Sequence, residues 1–169
     1  EFDPDGTIRN ANENFCKTMG YDLAEIRGRH HRMFVSPDYA AGAEYRQLWA
    51  DLARGEARLA EFQRVGRDGG EIWVQASYNP IFGADGRVYK VVKFAIDVTG
   101  RKAAVNELRA GLSKLAEGDL SAHIDTVFTS EFEDVRNAFN SSVEQFSRIV
   151  TDLRTTSTAL KTATGEILA

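Results

Sequence analysis

The sequence of 169 residues contains one cysteine, Cys16, which excludes an internal disulfide and a zinc site built from several cysteines. No apolar run approaches the roughly 18 residues that a membrane-spanning helix requires. The net charge is −4 and no basic cluster stands out, so nucleic acid is not an expected partner. We expect a cytoplasmic protein, and the sequence leaves open whether a longer parent chain is attached to a membrane.

Motifs that carry enzymatic chemistry are also missing. The sequence has no glycine-rich phosphate loop ending in Lys-Ser or Lys-Thr and no serine nucleophile elbow. It also lacks a pair of histidines at the helical spacing that holds a metal ion. We therefore expect that the protein is not an enzyme.

The amino-acid composition changes near Gly100 and divides the chain into two parts. Both tryptophans, all five tyrosines and all three prolines precede it, and the remainder is dominated by small, aliphatic and charged residues. The first part suits a compact core with many turns, and the second suits long helices whose apolar face needs a partner. We predict a globular domain at 1–100, a helical region at 101–154 and the start of a longer coiled coil at 155–169.

The first hundred residues alternate between turn signals and strand-like runs. Three Asp-Gly pairs predict tight turns, at residues 5–6, 68–69 and 85–86. Three strands are predicted around the last two turns, at 59–65, 72–81 and 88–96. An N-terminal hairpin would bring the antiparallel sheet to five strands. Apolar residues at helical spacing predict helices over 12–27, with a break at Gly20-Tyr21 and Asp22 as a new N-cap, and over 39–55. This is an α+β domain whose helices lie on one face of the sheet.

Several short motifs in this part, taken in order and spacing, resemble a PAS domain, and closely those of methyl-accepting chemotaxis receptors. The motifs are Asn12 before the first helix, Gly20-Tyr21, Gly28, Asp68-Gly69 before Trp73, Pro80, Asp85-Gly86 and Asp97-x-Thr99. The resemblance implies the PAS fold, with a small-molecule pocket between helices and sheet. One departure is that only Glu1 and Phe2 precede the first turn, so the first strand is nearly missing.

The segment 114–146 resembles a HAMP domain. Residues 116–120 would close its first helix and Glu131 would open its second. The resemblance implies two parallel helices per chain, a connector that buries Leu120 and Ile124, and a four-helix coiled-coil bundle in a homodimer. The family's usual glycine after the second-helix glutamate and its usual first-helix proline are absent. A generic helical hairpin is the alternative interpretation of this pattern.

Two adjacent histidines are candidate cofactor ligands. In haem-binding PAS domains a histidine from the helical side binds the iron, and the resemblance therefore implies His30 or His31 as a ligand of haem b. The alternative is a structural histidine beside an apolar wall. Neighbouring side chains of a helix point in different directions, so the pair is a poor joint metal site.

Other candidate cofactor-binding residues come from strand alternation. Val74 and Tyr78 share one face of their strand, and Lys93 and Ala95 are predicted to lie beside them. Trp49 resembles a residue of flavin-binding redox receptors, but few amide side chains are expected there to bind the flavin ring, so flavin is the less favoured cofactor. An inward Lys93 predicts pairing with an anionic ligand.

The last predicted strand leads directly into the helical region, and Asp97 and Thr99 lie at this junction, where short polar side chains bond to nearby backbone groups. Val92, Phe94 and Ile96 lie on the strand's other face and predict a covering helix or second subunit.

Together, the resemblances imply cytoplasmic sensing of a small ligand, a redox state or a gas. The signal would pass through the junction to the HAMP-like helices and then to a downstream signalling domain of the full-length chain. Asp97, Thr99 and Glu131 are the predicted relay residues. The alternative function is a ligand-free PAS module that serves dimerisation and docking on a structural coiled coil.

Overall fold

The structure is a computed structural model that describes residues 1–167. Its internal contacts divide the chain into two compact units, residues 1–99 and 100–169. Among the described residues no helix combines the length and apolarity needed to cross a membrane. The last two positions of the predicted coiled coil at 155–169 lie outside the described residues.

The first unit places four short helices before a three-stranded sheet. The helices are α1 (Glu13–Met19), α2 (Leu23–Ile26), α3 (Pro37–Ala41) and α4 (Ala43–Ala53), with a 3₁₀ turn at His31–Phe34 between α2 and α3. The strands are β1 (Arg58–Val65), β2 (Glu71–Phe82) and β3 (Val88–Asp97). They pair antiparallel in the order β1-β2-β3. The meander that the Asp-Gly turns predict is therefore confirmed.

The prediction of five strands is wrong for the described chain. Phe2 forms two isolated bridges, one to Ile8 and one to Val91. Its amide and carbonyl both bond to Val91 at 2.8 Å, but a tight turn begins at once, with the amide of Gly6 bonded to the carbonyl of Asp3. Because the chain reverses immediately after Phe2, neither bridge grows into a ladder.

Local capping explains where the helices of this unit begin and end. The Asn12 side chain accepts a hydrogen bond from the amide of Phe15 and starts α1, and Gly20 ends it with a φ of 76°. Asp22 then starts α2 with a capping box, as the sequence predicts. The single helix predicted over 39–55 is instead two helices, because Gly42 is extended and separates α3 from α4.

The core of the first unit lies between α4 and one face of the sheet. The buried residues of α4 are Tyr45, Leu48, Trp49, Asp51 and Leu52. Val74, Ala76 and Tyr78 of β2 are also buried and belong to the same apolar cluster. The alternating exposure along β2 follows from the pleat of a strand, which sends successive side chains to opposite faces.

The second unit contains two long helices, α5 (Thr99–Ala116) and α6 (Ser130–Ile167). Two contacts show their direction: a Cβ at Gly100 would lie 2.7 Å from the side chain of Thr129, and one at Gly111 would lie 2.7 Å from the ring of Phe139. The contacts advance by about ten residues along both helices, roughly 15 Å at 1.5 Å per residue. The two helices therefore run parallel.

The connector between these helices is held by buried side chains. Ala122, Ile124 and Phe128 are buried in one cluster with Phe139 of α6. The side chain of Asn140 accepts from the Ile124 amide at 3.0 Å and donates to the Ile124 carbonyl at 3.1 Å. Ile124 is thus buried as predicted, and it is fixed through its backbone as well as its side chain.

Apolar residues of α5 form two stripes with different surroundings. Ala104 and Gly111 are buried within the chain, and Leu108 packs against the same cluster. Val105 and Leu112 repeat with Leu108 at heptad spacing, and each of these two is 55% exposed. The helix therefore combines an apolar stripe that the chain itself covers with one that it leaves exposed.

Candidate functional site

Tyr78 is the centre of the buried polar cluster on the inner face of the sheet. It is fully buried on β2, and the strand register places it opposite Lys93, with Ala76 opposite Ala95. The predicted orientation of Lys93 and Ala95 is therefore confirmed. Their proposed role in binding a cofactor stays a prediction.

A continuous series of hydrogen bonds passes through Tyr78, and we call it the polar chain: Arg64, Tyr78, His31, Tyr45 and His30. The guanidinium of Arg64 donates to the Tyr78 hydroxyl at 3.0 Å. That hydroxyl lies 3.1 Å from Nε2 of His31, whose Nδ1 lies 3.0 Å from the Tyr45 hydroxyl. The Tyr45 hydroxyl lies 3.5 Å from Nδ1 of His30. The polar chain links β1, β2, the 3₁₀ turn and α4.

The environment shifts the pKa values of this polar chain in different directions. Burial lowers the pKa of His31 well below 6.5, and the charges of Arg64 and Lys93 lower it further. Burial raises the pKa of Tyr45 to about 12. Burial also opposes ionisation of Tyr78, but the positive charges of Lys93 and Arg64 and the hydrogen bond from Arg64 outweigh it and lower the Tyr78 pKa. Neutral imidazole is thus the favoured form of His31.

Two cations of this site lack an acidic partner among the described residues. Arg64 is 1% exposed and bonds to the carbonyl of Gln63 and the Tyr78 hydroxyl. The Lys93 ammonium lies 5.2 Å from the ring centres of Phe15 and Tyr78. Nε of Arg64 and the indole N–H of Trp49 are buried without a hydrogen-bond partner. In the described part of the chain, the site therefore has an excess of donors and positive charge.

A groove of about 760 Å³ lies beside Lys93, between β3 and the segment that contains α1. Its lining includes three predicted cofactor-binding residues, Val74, Lys93 and Ala95, together with Phe15 and Met19 of α1. The other four, His30, His31, Trp49 and Tyr78, pack in the aromatic core instead. The structure therefore separates the predicted cofactor residues into a groove group and a core group.

The histidines do not fit a haem ligand in this arrangement. Both ring nitrogens of His31 are bonded to tyrosine hydroxyls. Nε2 of His30 is 2.8 Å from the Asp5 carbonyl, and its Nδ1 accepts from the Arg32 amide at 3.1 Å. Iron would have to displace one of these bonds, because neither histidine offers a free lone pair. The haem prediction therefore gains no support from this geometry.

The expectation of few amide side chains is wrong for the groove. Its lining contains Asn10, Asn12, Asn14 and Gln75. The three asparagines lie before or at the start of α1, and inspection of strand faces alone missed them. One of the four, Asn12, already caps α1. The groove is consequently more polar than strand alternation predicts.

The junction that follows β3 is fixed by three side-chain hydrogen bonds. The carboxylate of Asp97 accepts from the amide of Thr99 at 2.9 Å and from its hydroxyl at 2.7 Å. The same hydroxyl accepts from the Trp73 amide at 2.9 Å, and the Val98 amide bonds to the Trp73 carbonyl. The end of β3 and the first residue of α5 are thereby tied to β2.

The third predicted relay residue, Glu131, lies in the first turn of α6 and is exposed. Glu133 accepts from the Phe128 amide at 3.0 Å instead, and it pairs with Arg136, which lowers the Glu133 pKa. Arg136 also donates to the Ile124 carbonyl. Glu133 and Arg136 therefore join the connector to α6, and the relay role of Glu131 stays a prediction.

Comparison with curated proteins identifies relatives of part of this chain. The biofilm dispersion protein BdlA of Pseudomonas aeruginosa is 52% identical over 101 residues, which are 60% of this chain and 24% of that protein. The aerotaxis receptor of Escherichia coli is 31% identical over 74 residues, 44% of this chain and 14% of the receptor. The chain therefore spans about a quarter or less of the length of these relatives.

Solved structures share the architecture of the first unit. An RNA-binding Light-Oxygen-Voltage receptor matches with a TM-score of 0.52 and 27% identity, over 58% of this chain and 28% of that one. The PAS domain of a protein from Colwellia psychrerythraea matches with a TM-score of 0.50 and 21% identity, over 57% of this chain and 81% of that one, and shows the fold alone. The family model described as the PAS fold matches residues 1–103. The chain belongs to the PAS fold family.

Proposed function

We propose that the chain is a cytoplasmic sensor and relay of a chemotaxis-type receptor, without enzymatic activity of its own. The PAS unit would register a small ligand or a redox state, and the junction at Asp97–Thr99 would pass the change to the helices of the second unit. The names of two relatives, an aerotaxis receptor and a biofilm dispersion protein, support a signalling role. The chain and these relatives share a PAS sensor domain, and the role that this domain supports is signal transduction.

The observation that carries this proposal is the bonding of Thr99. This first residue of α5 bonds to both Asp97 and the Trp73 amide, so movement of β2 or β3 would displace the start of the helix. Helices are stiff, and a small displacement at the first turn is therefore transmitted along the axis. A flexible linker at this position would not support the same proposal.

The second unit supports a HAMP-like relay. Its helices run parallel, its connector returns along them, and Ile124 is buried at the place that the resemblance implies. Val105 and Leu112 on α5, and Val135, Phe146 and Leu153 on α6, remain exposed. Single helices with such stripes are stabilised by packing, so we propose a homodimer with a four-helix bundle. A downstream signalling domain would continue from α6.

For the sensed ligand we propose a small molecule with anionic or acceptor groups, bound in the groove beside Lys93. Lys93 lines this groove together with the acidic residues Glu1 and Asp97, and Asn10 and Asn14 supply further polar groups. Flavin is a second candidate. A Light-Oxygen-Voltage domain of 25% identity and TM-score 0.50 is described with a flavin analogue, and the unpartnered indole N–H of Trp49 is a free hydrogen-bond donor. The contacts of His30 and His31 disfavour haem.

The relay can be tested through the helix bundle. Leu112→Cys, introduced together with Cys16→Ser, places one thiol on the exposed stripe of α5, and oxidation should cross-link two chains. We expect Asp97→Ala to change the cross-linking rate, because the start of α5 loses its anchor. The matched control is Asp85→Ala, which removes a comparable carboxylate-to-amide bond from the β2–β3 turn. Equal cross-linking rates in the two variants would contradict the proposed relay. Absence of a cross-link at Leu112→Cys would contradict the proposed dimer.

A ligand-free docking module is the second candidate function, and the outer face of the sheet favours it. Leu59 is 74% exposed, and Phe94 and Ile96 are each 67% exposed. Such an apolar surface is typical of a protein contact. Mass spectrometry of molecules released on denaturation distinguishes the two candidates, since a docking module releases none.

A further inference from the structure

Tyr78 lies between two cations that come from the strands on either side. Arg64 of β1 donates to its hydroxyl, and Lys93 of β3 lies 5.2 Å from its ring centre. No acidic side chain among the described residues pairs with either cation. Burying unpaired charge is costly, so a negative charge placed here would be stabilised.

The groups around Tyr78 leave few sources for that charge. Arg58 is opposite Tyr78 in the register, but its guanidinium is bound to the Asp51 carboxylate. Burial keeps Tyr45 protonated, with a pKa of about 12. The titratable and charged groups that face Tyr78 are Arg64 on β1, Lys93 on β3, His31 in the 3₁₀ turn, Tyr45 on α4 and Tyr39 on α3. Among the phenols of this group, Tyr78 is the one with a lowered pKa. Burial also lowers the pKa of Lys93, and negative charge on Tyr78 opposes that shift.

We propose that Tyr78 ionises between Arg64 and Lys93, supplies the counter-ion of both, and reverses the direction of the hydrogen bonds along the polar chain. This inference goes beyond the proposed function, because it requires neither a ligand nor the second unit. It makes the PAS unit responsive to proton concentration.

When Tyr78 is protonated, the directions of the hydrogen bonds in the polar chain follow from the donor at its Arg64 end. Arg64 donates to the Tyr78 oxygen, so the Tyr78 O–H points to Nε2 of His31. Nδ1 of His31 then carries the proton and donates to Tyr45, whose own O–H shares the lone pair of His30 Nδ1 with the Arg32 amide. Each donor in this series thus has an acceptor.

Loss of the Tyr78 proton changes the direction of each hydrogen bond from Tyr78 to Tyr45. A phenolate at Tyr78 cannot donate, so His31 must take the tautomer that carries its proton on Nε2 and donates to it. Nδ1 of His31 then accepts from Tyr45, and the contact of Tyr45 with His30 is lost. The balance is one proton moved from Tyr78 to His31, one from His31 to Tyr45, one from Tyr45 to His30, and one released from half-buried His30 to water. The switch thereby links the sheet to α4 and to the turn that His30 holds through Asp5.

Tyrosinate absorbance in the near ultraviolet tests the first half of the proposal. In a pH titration of the full chain, one of the five tyrosines should ionise first, below the ordinary pKa of 10, with a fifth of the total absorbance change. Lys93→Met and Arg64→Met should each raise this first step by about one pH unit. Tyr78→Phe should abolish it, and Tyr89→Phe, which alters an exposed tyrosine, should leave it unchanged.

Nitrogen NMR of the His31 ring tests the second half. The tautomer should change from Nδ1–H to Nε2–H at the pH of the first tyrosine step, and the change should be absent in Tyr78→Phe. Lys93→Met keeps the phenol, so it tests the proposal even where Tyr78→Phe folds poorly. The proposed ionisation of Tyr78 would be wrong if the first tyrosine ionisation persisted in Tyr78→Phe, or if Lys93→Met left its pH unchanged. A His31 tautomer that stays constant would contradict the proposed reversal of the hydrogen bonds.

Discussion

His31 should make the first unit sensitive to mild acid. Its ring is fully buried, both nitrogens are bonded to tyrosine hydroxyls, and burial holds its pKa well below 6.5. As the pH falls below 6.5, the unfolded chain binds a proton at this residue that the folded chain does not. The free energy of unfolding should therefore decrease by about 1.4 kcal/mol per pH unit until the folded-state pKa is reached. A loss of that size for each pH unit is a large share of a small domain's stability.

Urea unfolding followed by tryptophan fluorescence measures this quantity for the first unit, because both tryptophans, Trp49 and Trp73, lie in it. The informative variant is His31→Gln, whose amide can donate to one tyrosine and accept from the other without titrating. It should lose some stability at neutral pH and lose the steep decrease below pH 6.5. His123→Gln, in the connector of the second unit, is the matched control and should behave as the parent chain.

The change in the free energy of unfolding with pH decides the outcome. If the parent chain and His31→Gln lose stability equally between neutral and mildly acidic pH, His31 is protonated or solvated in the folded state and the reasoning from burial is wrong. His30, whose pKa burial lowers as well, adds a smaller decrease that persists in His31→Gln.

Three further predictions concern packing. Asn140→Leu should destabilise the second unit by about 1–3 kcal/mol, measured by thermal circular dichroism, because the Ile124 amide and carbonyl lose their partners. Gly111→Ala should lower the same melting temperature through contact with the Phe139 ring, and Phe139→Leu in that background should restore part of it; additive losses would contradict the contact. Gly55→Ala should destabilise the first unit in urea, since Gly55 has a φ of 96°.

Local sequence signals predicted the sheet well. The Asp-Gly pairs and the alternation of Val74 and Tyr78 located the meander and its faces, because turn chemistry and the strand pleat act over a few residues. The α1–α2 break at Gly20 followed from capping for the same reason. Gly42 was missed as a break because a glycine in an extended conformation leaves no distinctive pattern.

The candidate site was predicted less completely, because its contacts join distant parts of the chain. No sequence pattern distinguishes Arg64 from other charged residues in strands, yet it is buried against Tyr78, fourteen residues away. The bonds that occupy His31 come from Tyr45 and Tyr78, and no local pattern shows that their hydroxyls converge. An arginine on the apolar face of an alternating strand is a sequence signal that indicates such a cluster.

The two tight turns of the meander also have a consequence for how the domain folds. At Gly69 and Gly86 φ is 82° and 75°, and the Asp68 and Asp85 side chains each bond to an amide two residues ahead. Both hairpins can therefore close through contacts that are short in sequence, on a microsecond timescale. The bridge from Phe2 to Val91 must close a loop of almost the whole domain and offers a single pair of bonds in return. The sheet should thus form before the chain start docks on its edge, and that edge should open first.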